Sequence, residues 1–305
     1  MTKSTSSPPP PGVWSRLRHN PKAMIVLGIL IVVIYFAVDG PRWFDYHPQD
    51  TSKSQFHPPS TDHPFGTDLN GRDQLSRVVQ GARISLLVGF CGALISFAVG
   101  TTYGMVSGYF GGKSDELMMR LVDILYSIPR LLIIIIAVYS FDKPLKEWLA
   151  SHGWMDLVGF SRILLLIVVL GLNEWLSLAR IVRGQVLSLK QQQFILAARA
   201  LGQSHTRIIA RHLLPNLIGI VTVYLTLTIP AVILDESFLS FLGLGIQAPQ
   251  ASWGSLLSDG ANVINPVRSY WWLLVFPALA MSVTLLALNF LGDGLRDALD
   301  PRQKR

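Results

Sequence analysis

Apolar residues in this chain gather into runs instead of alternating with polar ones. Six runs are long: about 22–39, 84–106, 117–140, 162–181, 216–234 and 271–291. Roughly 20 helical residues, at about 1.5 Å each, cross a hydrocarbon layer about 30 Å thick. The pattern predicts an all-α membrane protein of six transmembrane helices, and an even number of crossings puts both termini on one side. Between the fourth and fifth runs the pattern changes. Residues 191–201 read as a helix, Gly202 breaks it, Ser204 can cap a second helix over 205–214, and Pro215 ends that helix. Ile208, Ile209 and Leu213 give the second helix an apolar face beside Arg207 and Arg211. Taken alone, it reads equally as a basic amphipathic helix lying on a membrane surface.

Charge fixes the expected orientation. The chain is half apolar, 15% charged and carries a net charge of +7. Most of its 26 Lys and Arg fall in the N-terminal segment (Lys3, Arg16, Arg18, Lys22), after the second run (Lys113, Arg120), in the 181–215 loop with Arg180, and in the tail (Arg296, Arg302, Lys304, Arg305). Positive charge is retained in the cytoplasm, so both termini and that loop are expected inside. Trp43, Trp148, Trp154, Trp271 and Trp272 fall at the outer ends, where an amphipathic ring suits the headgroup layer. The positive charge is thus a topology signal, with membrane lipid and a partner of the loop as its counterparts, and it gives no support to nucleic-acid binding. The expected layout is a cytoplasmic tail over 1–21, a first span and extracytoplasmic segment over 22–83, a core of five spans over 84–295 with a loop at 182–215, and a cytoplasmic tail over 296–305. The Pro-rich start, Pro8 to Pro11, precedes an apolar run without a clear cleavage site, so the first span reads as an uncleaved anchor.

Four ionisable residues are expected within or at the end of spans: Arg130 near the middle of the third, Glu174 in the fourth, and Asp235 and Glu236 closing the fifth near the outer surface. A charge facing lipid costs roughly 2.5–3.5 kcal/mol, so these side chains should face the bundle, water or a partner. They are candidates for a translocation path, with a structural Arg130–Glu174 ion pair as the alternative. Arg120 and Asp123 read as a local helix pair.

Other motifs narrow the chemistry. Residues 63–73 (HPFGTDLNGRD) are dense in turn formers, and Asp68, Asn70 and Asp73 lack the alternating pattern and distant Glu of a calcium loop. Residues 108–115 (GYFGGKSD) look like a phosphate loop but do not qualify as one: Ser107 stands where a Walker A needs Gly, and a span precedes it in place of a strand. Gly100, Gly104, Gly108 and Gly112 form a small-residue stripe suited to close helix packing. Pro129, Pro230 and Pro277 interrupt spans as in cavity-lining bundles. Cys91 is the only cysteine, so no disulfide or thiol metal site is expected. The seven histidines are scattered, and neither HExxH nor GxSxG occurs, so an enzyme is not expected.

The order Ala197-Ala198, Gly202, Leu214-Pro215 resembles the "EAA" loop of ABC-importer permeases, whose short helix seats in a cleft of a cytoplasmic ATPase. FGTDLNGRD (65–73), ARISLLVGF (82–90), GYFGGKSDELMMR (108–120), ARIVRGQVLSLK (179–190), ESFLSFLGLG (236–245), SWGSLLSDGAN (252–262) and GDGLRDALDP (292–301) are similar to the C-type permease of oligopeptide and dipeptide importers. The resemblance implies a type I permease of the bacterial inner membrane, with no cofactor of its own. It implies a homologous second permease, two cytoplasmic ATPases that hold ATP and Mg, and an extracytoplasmic peptide-binding protein as partners. It also implies a coupling loop formed by Leu196, Ala197, Ala198, Gly202, Arg207, Arg211 and Pro215. Leu196 replaces the family's usual Glu, so the contact made by that Glu does not carry over. The alternatives are a permease for another small solute, such as a nickel chelate, and an ion-coupled secondary transporter, which predicts internal repeats that are not evident.

Overall fold

The computed structural model describes residues 13–18, 20–40, 49–264 and 268–299. The expectations for Lys3, Pro8 to Pro11, Trp43, Arg302, Lys304 and Arg305, and for the Arg16 side chain, lie outside the described residues. Among the described residues twelve helices run in order: α1 Val13–Arg18, α2 Pro21–Asp39, α3 Gln74–Phe110, α4 Gly112–Ser127, α5 Arg130–Ser151, α6 Met155–Val158, α7 Ser161–Leu189, α8 Gln193–Ala200, α9 His205–Ile208, α10 Leu214–Phe241, α11 Trp253–Asn262 and α12 Trp272–Leu299. A π-helical turn, Ile209–Leu213, joins α9 to α10.

Five helices pass as membrane spans outright, and α4 with α5 form a pair bent by 85°. The expected third span is therefore not one straight helix. Ile128 turns to extended backbone ahead of Pro129, whose ring disfavours helix at the preceding residue, and Arg130 opens α5 at the break.

The direction of α7 decides whether this pair crosses or re-enters. Gly92 of α3 lies against Ile167 and Gly171 of α7, Gly100 against Trp175 and Leu178, Gly104 against Ala179 and Val182, and Gly108 against Arg183 and Val186. The numbers rise together, so α3 and α7 run parallel, and the chain between them must return through the full thickness. Partners along the pair descend accordingly: Asp115 meets Arg183, Asp123 meets Arg180, Tyr126 meets Ser177, Arg130 meets Glu174, and Asp142 meets Arg162. Residues 183 to 162 of α7 span about 30 Å at 1.5 Å per residue. The bent pair is one broken crossing, which makes six.

The remaining helices alternate. Ser85, Gly89 and Gly92 of α3 meet Glu236, Ile233 and Val232 of α10, an antiparallel order. Gly292 of α12 packs on Leu227 and Gly219 of α10 faces Leu299, again antiparallel, while Gly294 faces Ala23 of α2. Leu17, Ala23 and Ala298 cluster. Both described ends of the chain therefore sit at the same end of the bundle as α8 and α9.

The glycine stripe does the packing expected at Gly100, Gly104 and Gly108, where an added Cβ would run into α7 backbone or side chains. Gly112 does not belong to it. Among the described residues nothing lies within 4 Å of an added Cβ there, and its φ of +58, beside Gly111 at φ +68, helps turn α3 into α4. Pro230 and Pro277 lie inside continuous helices and break neither.

At the opposite end a polar plate covers the bundle. Asp68 accepts from the Asn70 and Arg72 backbone N–H groups and from Arg72 Nε, and Arg77 joins Asp68 at 2.7 Å to Asp259 at 3.0 Å. Asp73 caps α3 through Ser76 and also meets His63 at 2.9 Å. The segment is thus an Asp-centred turn. Phe65 stacks on Phe276 and Phe56 on Tyr270. Trp148, Trp154 and Trp271 are exposed at this end, whereas Trp272 is buried and donates Nε1 to the Thr67 carbonyl, a structural tie and not a headgroup anchor. The core helix α3 starts at Gln74, earlier than the boundary expected at 84.

Candidate coupling hairpin and intramembrane charge node

The hairpin is built by its glycine. Gly202 has φ +70, its N–H bonds the Arg199 carbonyl, and the Gln203 N–H bonds the Ala198 carbonyl, the two hydrogen bonds of a Schellman close. Nothing among the described residues lies within 4 Å of an added Cβ there, so Gly202 is required by backbone conformation, not by close approach of another helix. Ser204 makes no side-chain cap, and α9 begins without one.

The second helix does not end at Pro215. From His205 the helix runs through the π-turn into α10, forming a membrane-length unit of 37 residues to Phe241. Pro215 falls in the first turn of α10, where a missing N–H is tolerated. Leu214 N–H reaches Ile209, the wider π spacing, and the Asn216 side chain donates to the His212 carbonyl at 2.6 Å. Those bonds take up the register change that Pro215 imposes.

The hairpin has two faces. Ile195, Ala198, Ile208 and Leu213 are buried in a cluster with Met105, Tyr109, Val182 and Val186, which fixes the hairpin to α3 and α7. His205 Nδ1 lies 2.8 Å from Tyr109 Oη, Arg199 stacks over the Tyr109 ring, and His212 Nε2 reaches Gln203 at 2.9 Å. Beneath it Asp115 takes two bonds from Arg183, at 2.5 and 2.6 Å, and one from Ser107. The other face is open: Leu201 is 80% exposed, Leu196 51% and Phe194 41%, and Ala197, Arg207, Arg211 and Pro215 are exposed beside them. Of the expected coupling residues only Ala198 is buried, where its small side chain lets α8 lie against α3 and α7.

The second constellation lies within the bundle. Arg130 Nη1 bonds Glu174 Oε1 at 2.7 Å and Nη2 bonds Asp235 Oδ1 at 2.6 Å. The Arg130–Glu174 pair is present, but it is part of a three-membered node and not an isolated pair. Asp235 does not close its span. It lies inside α10 with its side chain 9% exposed, and its Oδ2 has no partner among the described residues. Glu236, fully buried, turns elsewhere: Ser240 donates at 2.6 Å, Ser85 at 3.0 Å and Ser237 at 3.4 Å, tying α10 to α3. Arg120 and Asp123 do not pair with each other. Arg120 lies 3.8 Å from Glu116, one turn back on the same helix, and Asp123 takes Arg180 of the neighbouring α7.

Arg130 and Glu174 form one end of a cavity of about 1010 Å³ between the broken crossing and α7. Asn173, Ser177 and Tyr126 add polar groups at that end, while Phe141, Leu145, Trp148, Leu164 and Val168 make the rest apolar. Sequence reasoning missed Asp115–Arg183 and Tyr109–His205, whose partners are far apart in the chain. Asp115 lies in the first turn of α4, where the helix N-terminus already favours a carboxylate, so nothing local signalled Arg183.

A family model described as "Binding-protein-dependent transport system inner membrane component" matches residues 100–305, and one described as "N-terminal TM domain of oligopeptide transport permease C" matches 12–59. The chain is 45% identical over 293 residues to the dipeptide transport system permease protein DppC of Bacillus subtilis, covering 96% of this chain and 85% of that one. It is 46% identical over 292 residues to the oligopeptide transport system permease protein OppC of Escherichia coli, covering 95% and 90%. An inward-facing form of the MetNI methionine ABC transporter superposes with a TM-score of 0.55 at 18% identity, over 73% of this chain and 96% of that one, a likeness of fold alone. With a six-crossing bundle, a Gly-closed hairpin at one end and these matches over most of its length, the chain belongs to the family of binding-protein-dependent transport permeases, the multi-pass membrane subunits of ABC importers.

Proposed function

We propose that this chain is the C-type permease of a peptide-importing ABC transporter in a bacterial inner membrane. Both termini and the α8–α9 hairpin face the cytoplasm. A homologous second permease completes the path, two ATPases hold ATP and Mg and drive the cycle, and an extracytoplasmic binding protein delivers the peptide. The chain breaks and forms no covalent bond.

The observation that carries this reading is mechanical. The exposed apolar side chains Phe194, Leu196 and Leu201, on a hairpin that also exposes Arg199, Arg207 and Arg211, make a surface for a soluble partner. The hairpin leaves α7 on one side and enters α10 on the other, and those two helices carry Glu174 and Asp235. A partner that shifts the hairpin therefore shifts both carboxylates bound by Arg130. Arg130 in turn sits at the break of the third crossing. Closure of the ATPases would move the hairpin as a rigid body and change which side of the bundle is open. Leu196 in place of an acidic residue makes that contact apolar.

Peptide as substrate is supported by the names of relatives 45% and 46% identical along nearly the whole chain. The test is to purify the complex through a tag on this chain, identify its companions and reconstitute it. ATP-dependent uptake of a peptide supplied with the binding protein supports the reading. Transport by this chain alone, or uptake of a metal chelate with no uptake of peptide, contradicts it.

A further inference from the structure

The charge node does not balance. One guanidinium serves two carboxylates, so the node carries one surplus negative charge, and Asp235 Oδ2 is buried without a partner among the described residues. Orphaned buried acceptors are rare, because each forfeits hydration with nothing in return. Arg130 and Glu174 stand on the wall of the cavity, and the Arg130 side chain is 48% exposed, so these two members of the node are reached from that space, while Asp235 does not line it. Beyond it the walls are aliphatic and aromatic. Asp123 of α4 and Arg180 of α7, the charged pair further along the broken crossing, satisfy each other at 2.7 Å.

From this geometry we propose that the node is a recognition point for a primary ammonium group, the free N-terminus of a transported peptide, with the apolar walls receiving its first side chains. The inference rests on the peptide reading above and adds the chemistry that the path selects. A bound ammonium supplies the missing positive charge at the face of the node that lines the cavity. It offers three N–H groups to the node through Glu174, the carboxylate on the cavity wall, while Arg130 keeps Glu174 and Asp235 joined and Asp235 adds its charge from behind. A peptide acetylated at its N-terminus brings neither charge nor enough donors, and leaves the node as unsatisfied as before. A carboxylate terminus would be repelled.

The test uses the assembled transporter in nanodiscs, without the binding protein so that only the permease path selects. The probes are a leucine-rich tripeptide with a fluorescent C-terminal label and its N-acetylated twin. The free amine should bind at least about tenfold tighter, the ratio one charge-assisted hydrogen bond supplies. Asp235→Asn, which leaves one Arg against one Glu and so a neutral node, should erase that preference in complexes that still elute intact. Glu174→Gln should do the same and covers the case in which Asp235→Asn does not assemble. Equal affinity for the two probes in the unmodified complex overturns the proposal, as does a preference that survives both substitutions. A preference present in phosphatidylcholine discs and lost when phosphatidylethanolamine is added supports it, since a lipid ammonium then competes for the same group. If the unmodified complex binds neither probe and, in proteoliposomes supplied with the binding protein, imports no peptide, the peptide reading itself falls. If it binds both equally in nanodiscs yet imports peptide in those proteoliposomes, only the ammonium proposal falls.

Discussion

Glu174 and Asp235 hold two arms of a single guanidinium, at 2.7 and 2.6 Å from the Arg130 nitrogens, and they stand on the two helices that lead into and out of the α8–α9 hairpin. The helix that supplies the arginine is the broken one. Three crossings thus meet at one charged point, and Arg130 and Glu174 of it line the cavity.

Removing the arginine should be worse than removing the whole node. Arg130→Leu leaves two carboxylates facing each other in apolar surroundings, and its half-exposure limits the cost to about 1–3 kcal/mol. The thermal midpoint of the purified complex should fall. Combining Arg130→Leu with Glu174→Gln and Asp235→Asn should restore most of it without restoring uptake. An unchanged midpoint in the single variant would mean that the node does not hold the helices together.

The two faces of α8 should separate cleanly. Ile195 is buried and Leu196 half-exposed. Ile195→Ala should destabilise the chain by about 2–5 kcal/mol, whereas Leu196→Ala should stay within about 0.5 kcal/mol. Leu196→Ala should nevertheless reduce the amount of ATPase that copurifies. Full recovery of ATPase with that variant would remove Leu196 from the docking face.

The spans were legible because a hydrocarbon layer imposes a length that composition reveals directly. What length could not reveal is direction. The third run looks continuous from 117 to 140, and only the parallel packing of Gly92 to Gly108 on α7 fixes the bent pair as one crossing. Pro215 misled for a related reason: a proline stops a helix unless it lands in a first turn, and the π-turn before it places it there. Arg130 and Glu174 announced themselves as intramembrane charges, yet Asp235 looked like a span end because α10 runs on to Phe241 through residues with no apolar periodicity of their own. Partners such as Asp115 and Arg183 lie on different helices, and no local pattern joins them.

Gly202 should tolerate only residues that accept a left-handed backbone. Gly202→Asn keeps φ +70 at modest cost, while Gly202→Val costs roughly 1–2 kcal/mol or more in strain although no described neighbour is in its way. The valine variant should hydrolyse ATP without matching uptake. The ratio of peptide moved to ATP consumed, measured in proteoliposomes, checks this; a normal ratio in Gly202→Val would contradict the role given to the turn.

Helix packing should be intolerant at Gly104 and permissive at Gly28. An added Cβ at Gly104 meets the Ala179 carbonyl and Val182, whereas Gly28 in α2 has nothing within 4 Å among the described residues. Gly104→Ala should therefore destabilise the bundle by about 1–3 kcal/mol. Gly28→Ala should be neutral or raise stability by up to about 1 kcal/mol through helix propensity. Thermal midpoints of the two variants side by side decide it.

Everything proposed for the hairpin requires its open face to lie in the cytoplasm against an ATPase. A pair of single-cysteine variants decides that. One carries Leu201→Cys and the other Leu69→Cys on the opposite plate, both in a chain with Cys91→Ser, since the two leucines are exposed and lie at opposite ends of the bundle. In intact cells an impermeant maleimide should label the position-69 variant and not the position-201 variant, and a short bifunctional crosslinker should join position 201 to the copurified ATPase. Labelling of position 201 from outside, or crosslinking of position 69 and not 201 to the ATPase, would contradict both the orientation and the docking role.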